Sequence, residues 1–468
     1  MKLKKLLGLI LTGAMVLSMV GCGSSGGGSS AGSGNATEQE TENEQEAEDT
    51  QQNEDEKSPG ESVADSGEEI NLTFWHIWPD AEMGAIVESY VELFEDEHPN
   101  VHIESVATQE VEYQNNKLKV AAATGAQGDV FMCWGGGYAK AYVDAGVVLP
   151  LDDLMEKYGT KDELLDGTLT YGTYDGKTYG LPLKQWAGAL FCNEELFEEY
   201  NVKIPETFDE LLEAVKTFRA AGVTPMVLGA KEGWHIGMIQ NALAVRTEGA
   251  DYMNRALQGE ETLDTEGIVK SAELLCELNE AGAFPDGTLG LGSEESQEEF
   301  YMGLIPMYFG GSWVSSGCDS EENEIQGLIK AVPMPAVEGG KGGINSFSGG
   351  AIDMMMINAN TANPDVAYEF AVGITKYMSE EAYKIGDSLP AWKVDVDESE
   401  VSPTLRQVEE LIKNADGYVL AWDTFLEGAA IEAHYELLQG LIAGTTSPEE
   451  FAAGMQAAQE EVKGSEAE

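Results

Sequence analysis

Basic residues are scarce in this 468-residue chain, where 26 lysines and arginines face 84 aspartates and glutamates for a formal net charge of −58. A field of that sign repels nucleic acid and anionic membrane surfaces, and no basic patch relieves it, so nucleic-acid functions are excluded. Cysteine is rare too. Cys22, Cys133, Cys192, Cys276 and Cys318 are scattered without CxxC or Cys/His spacing, so no metal site or cofactor is expected. The last four lie in apolar stretches and read as buried free thiols, although an exported chain leaves one disulfide open. Also missing, in any suitable context, are a GxSxG elbow, HExxH, a phosphate-binding loop and a GxGxxG fingerprint. Catalysis is not expected. A glycosidase needs a carboxylate pair, but the 70 acidic residues after position 69 make such pairs uninformative. No internal repeat is detectable.

Long apolar runs are limited to one, Leu6 to Val20, preceded by Lys2, Lys4 and Lys5. It is too short, and too soon followed by glycine, to span a bilayer permanently, and it reads as an export signal over 1–21. The end of the run, Met19-Val20-Gly21-Cys22, resembles the lipobox of bacterial lipoproteins, with Met19 where leucine is usual. The resemblance implies that Cys22 is the lipid-attachment site. Residues 22–69 carry Gly/Ser repeats and then a Glu/Gln/Asn/Asp run with almost no apolar residue. Such a segment cannot offset its ordering entropy and is expected to be a tether with an end-to-end distance of roughly 40 Å.

The remaining 399 residues exceed what one core usually serves, so two lobes are expected. Strands over Ile70–Trp75, Val101–Val106 and Asp129–Trp134 alternate with helices over Ala81–Asp96 and Tyr113–Thr124. This alternation predicts a parallel sheet with ligand groups off the carboxyl ends of its strands. Asp175-Gly176 signals a hairpin turn. A second α/β unit follows, with helices over Asn193–Tyr200, Thr207–Ala221, Asp264–Gly282 and Glu294–Met302 and a strand over Ile305–Phe309. Thr207 and Glu210 form a capping box. Later come a strand over Ala351–Ile357, helices over Pro364–Met378 and Thr404–Asn414, and a helical stretch over Thr424–Val462 divided at Gly444.

Four ordered phrases carry a resemblance. They are Asp129-Val-Phe with Ala145-Gly146 and Leu149-Pro-Leu151; Tyr179-Gly-Leu-Pro182 with Phe191-Cys-Asn193 and Pro205-Glu-Thr207; Phe300-Tyr-Met-Gly303 with Gly311-Ser-Trp313; and Pro364-Asp365 with Ala367-Tyr-Glu-Phe370. Together they resemble the family 1 extracellular solute-binding proteins, the group of the maltose-binding protein and many Gram-positive oligosaccharide binders. The resemblance implies an α/β, two-lobed, periplasmic-binding-protein-like fold of type II. Each lobe is then a mixed sheet flanked by helices, with the ligand in the interlobe cleft. It places lobe 1 at 70–182 with about 349–390 returning to it, and lobe 2 at 183–348 completed by about 391–468. The chain would cross near Pro182–Trp186, Ser348–Ile352 and Ser388–Trp392, and a hinge would close on the ligand.

A sugar offers hydroxyls and an apolar ring face, so its cleft needs flat aromatics and paired polar groups. Trp313, behind Gly-Gly-Ser312, best matches the family's stacking tryptophan. Trp134 and Trp186 match positions from which the family reaches its ligand. Trp422 and Asp423 precede the late helix, Trp234 and His235 stand in a glycine-flanked loop, and His76, Trp78 and Asp80 follow the first strand. These are the candidate ligand residues, while Trp75 and Trp392 are expected to pack. The implied partners are a sugar or oligosaccharide, a two-subunit ABC permease with a cytoplasmic ATPase, and the outer face of the cytoplasmic membrane through the lipid anchor. The chain itself is expected to be monomeric. A polyamine, peptide or metal chelate on the same fold, an exported glycoside hydrolase and a surface adhesin are the alternatives.

Overall fold

The structure, a computed structural model, describes residues 69–79, 82–426 and 429–466. The export segment, Cys22, nearly all of the tether and Asp80 lie outside them.

Thirteen strands build the described chain: β1 (Ile70–His76), β2 (Val101–Ala107), β3 (Val130–Trp134), β4 (Thr173–Tyr174), β5 (Lys177–Thr178), β6 (Gly180–Pro182), β7 (Lys184–Asn193), β8 (Met307–Gly311), β9 (Ile329–Val332), β10 (Ser346–Gly350), β11 (Asp353–Ile357), β12 (Leu389–Pro390) and β13 (Gly417–Val419). One five-stranded sheet has the order β2-β1-β3-β11-β6. Its first three strands are parallel, and β11 returns from far along the chain to pair antiparallel with both β3 and β6. Met354, Met355, Met356 and Ile357 of β11 have no solvent exposure, as a strand covered on both faces requires. The helices Met83–Glu97 and Pro364–Ile385 pack together on this sheet.

β7 is the spine of the second sheet. Lys184 and Gln185 pair with β12, Trp186 and Ala187 with β10, Gly188–Cys192 with β8 and Leu190–Asn193 with β9. Asp175 and Gly176 both have positive φ, at 49° and 77°, and close the β4–β5 hairpin. The capping box forms as expected, with the Glu210 N–H donating to Thr207 Oγ1 at 3.3 Å and the Thr207 N–H to Glu210 Oε2 at 3.4 Å.

Two expectations are corrected. Trp234 and His235 do not stand in a loop: they open the helix Trp234–Glu248, in which every residue after Trp234 is buried. A helix buried all round, with polar residues such as Gln240, Asn241 and Arg246 covered alongside apolar ones, shows no periodic apolar stripe in its sequence. The helix expected from Tyr113 starts at Glu110 and contains a π-type segment over Tyr113–Lys117. The late stretch divides at Gly444 as expected, into the helices Ala429–Ala443 and Pro448–Glu466, with a short helical turn, Trp422–Phe425, before them. Cys133, Cys192 and Cys318 are buried and Cys276 half-buried, all four as free thiols.

Arg246 anchors the loop that feeds β10. Its buried guanidinium donates to the carbonyls of Met334 (2.9 Å), Gly343 (2.9 Å), Ile344 (3.3 Å) and Ser346 (2.6 Å). Arg246→Met strands these acceptors without donors. In urea unfolding it should cost about 3 kcal/mol or more.

Candidate functional site

The candidate residues converge where strands end and the chain changes sheet. At the end of β7's first turn of pairing, the Trp186 ring lies 5.6 Å from that of Trp313, at 59°. Trp313 in turn lies 6.3 Å from Trp234, edge to face. Trp313 and Trp234 are half-buried and Trp186 is nearly covered. The Trp313 ring folds back over its own strand, and a Cβ on Gly311 would sit 2.0 Å from its Cζ3. Only glycine at 311 permits that approach.

Asp423 is linked to this trio through Tyr435. Its Oδ2 accepts from the Tyr435 hydroxyl at 2.7 Å, while Oδ1 is buried with no protein partner among the described residues. Tyr435 packs against Gly233, immediately before Trp234. On the facing sheet, Trp134 ends β3 edge-on to Tyr113 and Tyr138, with centroids 6.3 and 5.4 Å away. The next glycines, Gly136 and Gly137, press on the carbonyls of Thr424 and Leu426, which brings the end of β3 to the Asp423 segment.

Other candidates are used inside the fold. His76 is stacked between Phe74 and Trp78. Its Nδ1 accepts from the Trp78 N–H at 3.3 Å, which leaves Nε2–H to donate to Ser105 Oγ at 3.1 Å. It therefore orients Trp78, which is 7% exposed. His235 has no exposure. It accepts from the Gly229 N–H at 3.1 Å and donates to Phe309 O at 2.9 Å, and burial lowers its pKa to about 4. Trp422 is likewise unexposed and stacked on buried His434 at 5.5 Å. These three are corrected from ligand contacts to packing residues, because a ring with no free face offers a sugar nothing. Ser312 is also unexposed, and its hydroxyl has no partner among the described residues. As expected, Trp392 is buried, with its Nε1–H donating to Pro182 O at 2.8 Å. Trp75 packs under Lys117, whose Nζ is 4.2 Å from its ring centroid.

With this geometry, residues 79–385 match the family described as bacterial extracellular solute-binding protein. The chain belongs to that family. Among relatives, an uncharacterized ABC transporter extracellular-binding protein of Pyrococcus horikoshii is 26% identical over 427 residues, 88% of each chain. A solved structure from work on xylan utilization by the thermophilic bacterium Caldanaerobius polysaccharolyticus is 38% identical, with a TM-score of 0.81 over 83% of this chain and 99% of that one. A chitin oligosaccharide binding protein is 26% identical, with a TM-score of 0.78 over 84% and 99%.

Sequence reasoning missed several groups that this solute-binding protein places at the same junction. Glu110 follows β2 and is exposed to water, yet protein surrounds it at longer range. Burial, helped by the Asp353, Glu294 and Asp423 carboxylates and opposed by Lys184, pushes its pKa up to about 7. Burial also raises Asp423, against the hydrogen bond from Tyr435. Glu110 and Tyr435 gave no signal in a chain so rich in acid, where one more glutamate carries no information. Lys184 was visible as the lone cation in the apolar phrase Pro182-Leu-Lys-Gln-Trp186. A recess of about 500 Å³ beside Ile204, Thr207, Lys330 and Ile344 contains none of the candidates.

A carboxyl held above its unfolded value favours the fold most when protonated. The contribution of Glu110 to stability is therefore complete below the unfolded pKa of about 4.3 and lost as pH rises through about 7. Carbon-13 NMR of the Glu110 carboxyl should show a midpoint near neutrality, and Glu110→Gln should flatten the fall in melting temperature between pH 5 and 8.

Proposed function

We propose that the chain captures a sugar, an oligosaccharide in particular, outside the cytoplasmic membrane and delivers it to a two-subunit ABC permease driven by a cytoplasmic ATPase. One observation carries the reading: Trp186, Trp234 and Trp313 form a contiguous indole group, with the unpartnered, buried Asp423 Oδ1 reached through Tyr435. Indole faces cover the apolar C–H face of a sugar ring, and a carboxylate accepts from its hydroxyls. The names of the relatives, chitin oligosaccharide binder and ABC transporter binding protein, support the same reading. Trp134 and Trp78, on the opposite sheet, supply the facing wall. Residues 70–182 with about 349–390 form lobe 1, and 183–348 with about 391–468 form lobe 2. Cys22 bears the lipid that holds the monomer at the membrane, and residues 22–69 give it reach. No described helix is long and apolar enough to cross a membrane.

A glycosidase divides its carboxylates into one raised acid and one ionised partner. The family and the relatives named above are described as binding proteins, which favours capture without hydrolysis. A polyamine is the ligand class against which a sugar must be tested, because the junction carries more carboxylates than cations.

Calorimetry of the full-length chain against a panel of oligosaccharides should give a dissociation constant of about 1 μM for one glycan. Trp313→Ala should weaken it about 30-fold. Raising the salt from about 0.05 to 0.5 M should leave it unchanged. Silence across the sugars, with salt-sensitive polyamine binding, would keep the fold and overturn the ligand.

A further inference from the structure

Lys184 is a cation placed where cations are few, and its surroundings are unusual. Its Nζ lies 2.8 Å from Asp387 Oδ2 and 3.7 Å from Asp353 Oδ2. All three side chains are largely covered, at 11%, 14% and 15% exposure respectively for Lys184, Asp387 and Asp353. Each stands where the chain leaves one sheet for the other. Lys184 begins β7, with Leu183 alone between it and β6; Asp353 begins β11, with Ala351 and Ile352 between it and β10. Asp387 lies between the helix Pro364–Ile385 on the first sheet and β12 on the second.

The main chain follows the same pattern. The Leu183 N–H donates to Asp353 O at 2.9 Å, Gln185 Nε2 donates to Pro390 O at 2.8 Å, and Pro390 pairs with Lys184 in the β7–β12 ladder. The aromatic walls hang on the same residues. Asp353 is directly opposite Trp134 in the β11–β3 ladder, and Trp186 is two residues beyond Lys184, on the same face of β7.

We propose that Lys184 is the positioning residue of the hinge: by holding the carboxylates of the second and third crossings against the first, it sets the angle at which the two lobes present their aromatic walls to a ligand. Burial alone would depress the Lys184 ammonium, but Asp387 and Asp353 reverse the effect and hold it above its ordinary value. Removing it leaves two covered carboxylates facing each other, which repel and separate the segments that carry them. The ligand arm of this inference rests on the capture reading; the structural arm does not.

The test uses the full-length chain as wild type, Lys184→Met, Asp387→Asn and the double variant. Small-angle X-ray scattering without ligand reads the lobe arrangement, calorimetry reads affinity for the glycan that binds the wild type, and thermal melting reads stability. The expectation is an altered scattering profile and about tenfold weaker binding for Lys184→Met, a smaller loss for Asp387→Asn, and a double variant no worse than Lys184→Met, since the two residues act through one contact. Should Lys184→Met fail to fold, Asp387→Asn, which leaves Lys184 beside Asp353, carries the same two readouts. The proposal falls if the folded variants scatter and bind as wild type, if they lose only melting temperature, or if the two losses multiply in the double variant. If no glycan binds the wild type, the capture reading fails, and the scattering comparison alone still decides the hinge.

Discussion

Leu183 is the single residue between a strand of one sheet and the spine of the other, and the rest of the molecule is arranged around that shortness. A connection of one extended residue spans about 3.3 Å, so the two sheets must approach at this point and diverge elsewhere. Leu183 is fully buried, and its N–H is taken by Asp353 O across the second crossing. The ten-residue β7 then distributes its hydrogen bonds among four partners. The second sheet inherits its orientation from the place where the first one ends. Trp392, closing over Pro182, seals the same corner from the third segment.

The electrostatics follow from scarcity. In a chain with this much acid, most carboxylates face water and cost nothing, and most surface pairs contribute little. Exceptions gather at the junction, where Asp353 and Asp387 are largely covered beside Lys184 and Glu110 lies within reach of its charge. Low local polarity there lengthens the reach of every charge. A neutral ligand can replace water among these groups without adding to their repulsion, whereas an acidic sugar would add to it.

Much of the fold was legible. β-rich runs at Ile70, Val101 and Val130 became parallel strands because alternation with amphipathic helices admits few other arrangements, and the phrases at Pro182, Ser348 and Ser388 fell where the sheets exchange strands. The helix Trp234–Glu248 was not legible, since total burial erases the stripe from which helices are read. Candidate site residues were chosen by residue type and position, and three of them, Trp186, Trp234 and Trp313, lie together in the structure. The same criterion also admitted His76, His235 and Trp422, because an aromatic at a strand end looks alike in sequence whether its face is open or stacked on a neighbour. What distinguished them was the partner across space: Phe74 and Trp78 for His76, Phe309 for His235, His434 for Trp422.

The spacing of the three indoles has an optical side. Transition dipoles at centroid separations of 5.6 and 6.3 Å couple strongly, and the 59° and 64° tilts between neighbouring rings give that coupling a handedness. Trp186, Trp313 and Trp234 therefore act as one chiral chromophore in the near ultraviolet, set apart from the isolated indoles of Trp75 and Trp392. The protein carries a label built from its own side chains, and any shift of one of these indoles against the other two is written into the size of its circular dichroism.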